Sequence, residues 1–375
     1  MSAHRHLFEV PDDVVYLNAS FLAPPLRAVR EAGASGLERR AAPWAIGPSD
    51  FFEDGERLRT LFGQLVGAPP DCVSFAPSVS YGIGVAAANT PLGPGRDVVL
   101  LAEQFPSNVY PWRARASQCG ARVRTVARPA DGDWTPAVLD AIDAGVGAVA
   151  ISHCHWTDGS LVDLVAVGSR CRQVGARLVI DATQSLGANP LDLAAIRPDF
   201  LVAAAYKWLM GPYGLAYVYA APEHHGGVPL EYNWITRERS EVFAELVDYR
   251  DDFAPGARRF DFGQRSNPVL LPMAIAALEQ LLAWSVAEVA AYLSARTAQI
   301  EDAVRTHGAV AAPAHLRSPN ILGLRFTDGL PPGLPERLRA AQIYVSVRGD
   351  AVRVAPHLHT TDADIARFAE ALGVR

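Results

Sequence analysis

The 375-residue chain predicts an α/β fold, with a large domain built on a mostly parallel sheet and a smaller C-terminal α+β domain. Three observations predict it. Apolar runs of strand length alternate with amphipathic stretches through the first two-thirds of the chain. Beyond about residue 270 the pattern changes to long helical segments followed by short strands. Half of the residues, 50%, are hydrophobic and 20% are charged, enough to fill a substantial core.

The runs VSF (73–75), DVVLL (97–101), ARVRTV (121–126), AVAIS (148–152), ARLVID (176–181), DFLVAAA (199–205) and LAYVYA (215–220) read as strands. Their near-continuous apolar character is that of strands covered on both faces. LVDLVAVGSRCRQVGA (161–176) has helical spacing. Residues 270–308 read as long helices, ILGLRF, IYVSVR and AVRVA as short strands, and DADIARFAEALG as a closing helix. The Pro- and Gly-rich 328–337 reads as a loop within the second unit. These boundaries assign 20–265 to the large domain and 1–19 plus 266–375 to the small one.

Charge and cysteine content narrow the partners. With 34 basic and 40 acidic residues the net charge is −6, and no basic stripe exists to neutralise a nucleic-acid backbone. A small-molecule substrate is expected instead. Cys72, Cys119, Cys154 and Cys171 are too few and dispersed for a disulfide framework, which points to a reducing cytoplasm. The N-terminus has no continuous apolar segment, and runs such as FLVAAAY are far shorter than the ~20 residues that span a bilayer, so neither a secretory signal nor a membrane is expected.

The 34 basic residues comprise 33 arginines and a single lysine, Lys207. A compositional bias explains the arginines but not the exception. Arginine keeps its proton near neutral pH, whereas a buried lysine amine can lose it and attack a carbonyl to form a Schiff base. Asp181 closes the strand ARLVID 26 residues before Lys207, one helix and one strand away. Alone, such an aspartate is more often a cap. Here two strands would present a carboxylate and an amine at the same carboxyl edge, where α/β sheets gather ligands. That is the pair a pyridoxal phosphate site requires: a carboxylate for the pyridine nitrogen and an amine for the carbonyl. Ser78, Val79 and Ser80 follow VSF and open a helical segment, so hydroxyls and free amides could hold a phosphate there; a simple serine cap is the alternative.

DATQS at 181–185 and AAAYKWLMGPYG at 203–214 resemble the segments around the ring-nitrogen aspartate and the Schiff-base lysine of the class V aminotransferase superfamily, fold-type I pyridoxal phosphate enzymes. The resemblance runs from YLNAS near the start to RVAPHLHTTDADI near the end. It implies Lys207 as the imine lysine and then the base at the substrate Cα, Asp181 on the pyridine nitrogen, and Gln184 toward the ring hydroxyl. Tyr206, where the desulfurase branch most often has His, is similar to kynureninases, in which the phenol binds the phosphate. EQFPSNVYPW (103–112) implies Phe105 as the stacking aromatic and Asn108 as a ring or phosphate contact. HWTDG (155–159) carries Trp156 in place of an asparagine, and Thr157 on the phosphate side. Asn267 in GQRSNPVLL implies a contact often made from a partner subunit, and Trp234 a weaker one. Arg353 stands where the superfamily binds the substrate α-carboxylate, a task suited to a bidentate guanidinium. A homodimer with shared sites is implied.

Nothing predicts a metal. His153, Cys154 and His155 are consecutive on a strand and alternate in direction, so they cannot all meet one ion. His224, His225, His357 and His359 read as solvated loop residues. The implied chemistry acts at the Cα of an α-amino acid, with transamination or β-elimination (C–S lysis) on a specialised substrate favoured, and kynureninase-type hydrolysis or epimerisation as alternatives. Cysteine desulfuration is disfavoured because AAQIYVSVRGDAVRV (340–354) has no cysteine. Without a GxGxxG between a first strand and a helix a nicotinamide dehydrogenase is disfavoured too. Retention of Lys207, Asp181 and Arg353 together argues against a pyridoxal phosphate-binding pseudoenzyme.

Overall fold

A computed structural model describes residues 4–373. In chain order the strands are β1 (Val15–Tyr16), β2 (Val73–Ala76), β3 (Asp97–Leu101), β4 (Val123–Val126), β5 (Val146–Ser152), β6 (Arg177–Asp181), β7 (Phe200–Ala204), β8 (Ala216–Ala220), β9 (Ala309–Val310), β10 (Leu322–Phe326), β11 (Ile343–Tyr344), β12 (Ser346–Arg348) and β13 (Ala351–Val354). All seven apolar runs are strands of one sheet, in the order β2-β8-β7-β6-β5-β3-β4. Only β8 runs against its neighbours, a consequence of its short connection from β7.

Period-two geometry explains the apolar runs. Val149, Ile151, Leu178, Ile180 and Leu201 face one buried core, while Ala148, Ala150, Val179, Phe200 and Val202 face another. Helices cover both faces, so there is no solvated side to carry polar residues. The helices Val79–Ala88 and Tyr110–Cys119 lie on the second face, contributing Ile83, Val85, Trp112 and Ala116.

The C-terminal part forms a four-stranded antiparallel sheet, β12-β13-β10-β9, with β1 paired to β11 beside it. Its separate core joins Val15 and Leu17 to Ile300, Leu322, Val354 and Phe368. The helix Leu270–Trp284 instead buries Leu271, Ile275, Leu278 and Leu281 in the first core, so position 266 falls before a helix shared with the large sheet. The Pro-rich stretch expected as a loop ends in a short helix, Leu334–Ala340, because Pro335 sits in its first turn, where its missing N–H has no helical partner to lose.

One buried charge cluster pins the strand that leads into the site. Asp261 is 1% exposed and its Oδ1 accepts the Phe75 amide of β2 at 2.8 Å. Its Oδ2 lies 2.5 Å from Arg59 Nη2 and 2.8 Å from Arg265 Nε.

Candidate active site

The carboxyl ends of β2, β5, β6 and β7 surround a cavity of about 300 Å³. This is the edge where an α/β sheet leaves a crevice, since each strand ends in a loop before the next helix. Asp181 ends β6; Lys207 follows β7; Ser78, Val79 and Ser80 follow β2; Phe105 follows β3; all line the cavity, as do Gln184 and Tyr206.

Lys207 is 6% exposed, and its amine lies 5.5 Å from the Phe105 ring centroid and 5.8 Å from that of Tyr206. Burial, with Arg353 and Arg348 nearby, pushes the amine down to about 8, against the opposing pull of Asp181. The sign follows directly: below pH 8 the amine is mostly protonated and cannot attack. Capture of pyridoxal phosphate by the stripped protein should therefore quicken about tenfold per unit as pH rises toward 8 and level off above it, as followed by stopped-flow absorbance. A rate that keeps climbing at the same slope to about pH 10 would contradict this depressed amine.

The loop carrying Lys207 is fastened from several sides. Ala205 N–H donates to Leu215 at 3.0 Å and Met210 N–H to the Lys207 carbonyl at 2.9 Å. The Trp208 indole donates to Gln184 Oε1 at 3.1 Å, and Gln184 Nε2 donates to the Ser20 carbonyl at 3.0 Å. Gln184 thus lines the cavity with both polar ends already engaged. Gly187 permits this packing: its φ is +94° and a Cβ there would stand 2.5 Å from the Trp208 carbonyl oxygen.

Asp181 is 5% exposed, and its Oδ1 accepts the Thr183 amide at 3.0 Å. Burial pushes this carboxyl up, opposed by Thr183 and by the charge of Lys207. A protonated ring nitrogen is the kind of partner that would hold it ionised. Ser78 Oγ accepts the Tyr81 amide at 3.2 Å and lies 3.0 Å from Ser80 Oγ, so the serine is a cap and a cavity hydroxyl at once.

Arg353, on β13, is 1% exposed and donates from Nη1 to the Trp156 carbonyl at 2.8 Å. Trp156 lines the cavity and meets Phe105 edge-on at 5.5 Å. The Trp156 loop rests on Arg128, which donates to Asp158 at 2.6 Å and to Thr157 at 2.9 Å.

Four expected cofactor contacts fall elsewhere within one chain, and Arg353 does not itself line the cavity. Thr157 Oγ1 is held by Arg128 and faces an adjoining cleft. Asn108 is buried, its Oδ1 accepting the Trp112 indole at 3.0 Å, because the Pro106–Asn108 turn directs it into the second core. Trp234 packs against Phe51, Phe52 and Phe243. Asn267 Oδ1 accepts the amides of Val269 and Leu270 at 3.0 Å, starting the helix Leu270–Trp284. The expected solvated histidines are corrected as well: His224, His357 and His359 are buried. His224 meets Asp199 at 2.7 Å, His357 stacks on Trp208 at 5.4 Å, and His359 contacts the Tyr16 carbonyl at 2.9 Å.

Ser152, Cys154, Thr183 and Tyr213 line the cavity without having been expected there. Strand alternation could have found Cys154, which points inward between two histidines that do not. Burial pushes its thiol up to about 12, so it is not a nucleophile at neutral pH. Asp199, Glu223 and His224 have ligand atoms within 4.8 Å of one another, but Arg177 already shares Asp199.

Residues 49–368 match the family described as aminotransferase class-V, which spans most of the chain. The chain belongs to that family. An uncharacterised aminotransferase of Bacillus subtilis is 25% identical over 92% of this chain and 89% of its own length. Isopenicillin N epimerase of Amycolatopsis lactamdurans is 27% identical over 88% of each chain. Among solved structures, a cystine C–S lyase in complex with its product cysteine persulfide superposes with a TM-score of 0.86, at 18% identity, covering 96% of this chain and 97% of that one. Pyridoxal phosphate is the cofactor that class-V membership brings, and the fold is the fold-type I architecture of such enzymes. The residues present fit it: a buried amine, a buried carboxylate on the neighbouring strand, and a helix start with two serine hydroxyls around one cavity. Among the described residues no single helix is long and apolar enough to cross a membrane.

Proposed function

We propose that this class-V protein acts at the Cα of an α-amino acid, transaminating it or eliminating a β-substituent, from the cavity that Lys207 and Asp181 line, with Arg353 buried behind Trp156 at its wall. The observation that carries the reading is the single lysine, buried with a depressed amine and flanked by a carboxylate on one neighbouring strand. Bound pyridoxal phosphate supplies an electrophilic carbonyl and a ring that withdraws electrons from Cα. Lys207 and Asp181 would hold the carbonyl and ring-nitrogen ends, Ser78 to Ser80 the phosphate, and Phe105 a ring face.

The protein's own part is positioning and proton transfer. Arg353 fixes the α-carboxylate and so sets which Cα bond is presented. Once the substrate amine has displaced it, Lys207 is free to take the Cα proton, and a pKa near 8 leaves a useful fraction of unprotonated amine at neutral pH. The branch after that step separates transamination from elimination. No cysteine lies on the 340–354 segment ahead of Arg353, which supports a reading other than desulfuration. A homodimer in a reducing cytoplasm is part of the same reading, with Trp234 and Asn267 as residues a partner subunit could use.

Product analysis tests it. The loaded protein incubated with a panel of amino acids and cysteine conjugates should release either a 2-keto acid with conversion of an added acceptor, or ammonia with a β-leaving group. Alanine release from kynurenine, alanine with sulfane sulfur from cysteine, or inversion at Cα alone would move it to another branch.

A further inference from the structure

β12 and β13 form a hairpin whose register pairs Ser346 with Arg353 and Arg348 with Ala351. Directly opposed residues of antiparallel strands point to the same face, and the side-chain period is two, so Arg348 and Arg353 share a face of the hairpin. Gly349, with φ of +58°, supplies the tight turn between them. Both guanidinium groups meet the same indole: their central carbons are 5.3 and 5.9 Å from the Trp156 ring centroid. Two like charges on one face of a strand pair are unfavourable unless an anion comes between them.

The neighbouring cations are already neutralised. Arg128 pairs with Glu103 and Asp158, and Arg325 with Asp158 and Asp350. Arg348 makes no ion pair among the described residues; it donates to the carbonyl of Val347 at 2.7 Å, and its buried Nε has no partner. Trp156 lines both the cavity at Lys207 and a second cleft lined by Arg348, so a substrate side chain that follows the indole out of the cavity would meet that guanidinium.

We infer that Arg348 receives a second anionic group of the substrate, which is therefore a dicarboxylic α-amino acid: its α-carboxylate on Arg353, its side-chain carboxylate on Arg348, and the methylenes between them along Trp156. This rests on the placement of substrate in the proposed function. A planar, permanently charged fork suits a carboxylate, and a site built to bond one rejects a neutral chain by leaving the guanidinium unpaired. The other anion at hand, the cofactor phosphate, has its own donors at Ser78 to Ser80.

Calorimetric titration with glutarate, adipate and hexanoate tests this on the loaded protein and on protein stripped of pyridoxal phosphate. At least one dicarboxylate should bind about tenfold or more tightly than hexanoate. Arg348→Gln should bring that ratio near one, and Arg348→Lys should retain part of it. Equal binding of the three acids, or a ratio that survives Arg348→Gln, would overturn the inference. So would a loss of pyridoxal phosphate affinity in Arg348→Gln with the ratio intact, which would assign Arg348 to the phosphate. A protein that takes up no pyridoxal phosphate yet shows the ratio would contradict the proposed function and leave the Arg348 subsite standing.

Discussion

Lys207→Ala will abolish the near-visible absorption of the loaded protein and lower turnover by at least about a thousandfold, because in the proposed function one side chain supplies both the tethering amine and the Cα base. No second lysine exists in the chain to substitute for it. The effect should be chemical and not structural: the amine makes no ion pair among the described residues, so folding should survive and circular dichroism should be unchanged. Exogenous small amines should restore part of the proton transfer but none of the tether. A variant that keeps the absorption band and most of its activity would show that the chemistry resides elsewhere. An arginine replacement should be as inactive as alanine, since a guanidinium holds its proton at any working pH.

Asp261→Ala should produce the largest loss of stability, about 3–5 kcal/mol, read as a shift in the urea unfolding midpoint. The carboxylate is enclosed between Arg59, fully buried, and Arg265, 3% exposed, so its removal leaves Arg265 without an ion-pair partner among the described residues and Arg59 with only the partly exposed Glu56. It also removes the acceptor for the Phe75 amide. Since Phe75 lies in β2 three residues before Ser78, the same change should weaken pyridoxal phosphate retention in protein that still folds. Breaking the exposed pair Arg305 and Asp302 should leave both properties unchanged, because solvent screens such a pair. An unfolding midpoint for Asp261→Ala equal to the unaltered protein's would contradict the assignment.

Much of the fold was legible because the large sheet is buried on both faces. A strand covered on two sides must be apolar throughout, and seven such runs separated by helix-length segments admit few arrangements. Asp181 and Lys207 were legible for a related reason: parallel strands joined by crossovers all point their carboxyl ends one way, so two residues at successive strand ends become neighbours. The surroundings were less so. Trp156 and Tyr213 reach the cavity from irregular loops, whose course depends on contacts such as Gly159, where a Cβ would stand 2.5 Å from the Ile321 carbonyl oxygen. The partnership of Arg348 with Arg353 depends on hairpin register, which a run of valines does not reveal. The buried histidines were misread because loop composition hides a partner far away in sequence: His359 is covered by Tyr16 and Phe8, more than 340 residues earlier.

Arg353 and Lys207 also affect each other. Burial and the adjacent Arg348 push the Arg353 guanidinium down, and Arg353 in turn lowers Lys207. A carboxylate bound at Arg353 would neutralise the first and relax the second, so in the proposed function binding of the substrate anion should raise the affinity of the Lys207 amine for a proton. The two nearby guanidinium groups and the depressed amine are thus one electrostatic arrangement.

The most direct measurement of the central claim is borohydride reduction of the loaded protein followed by proteolysis and peptide mass mapping. A single pyridoxyl adduct on the peptide containing Lys207 is the predicted result. Reduction that leaves that peptide unmodified, in protein shown to be folded and saturated with pyridoxal phosphate, would contradict it.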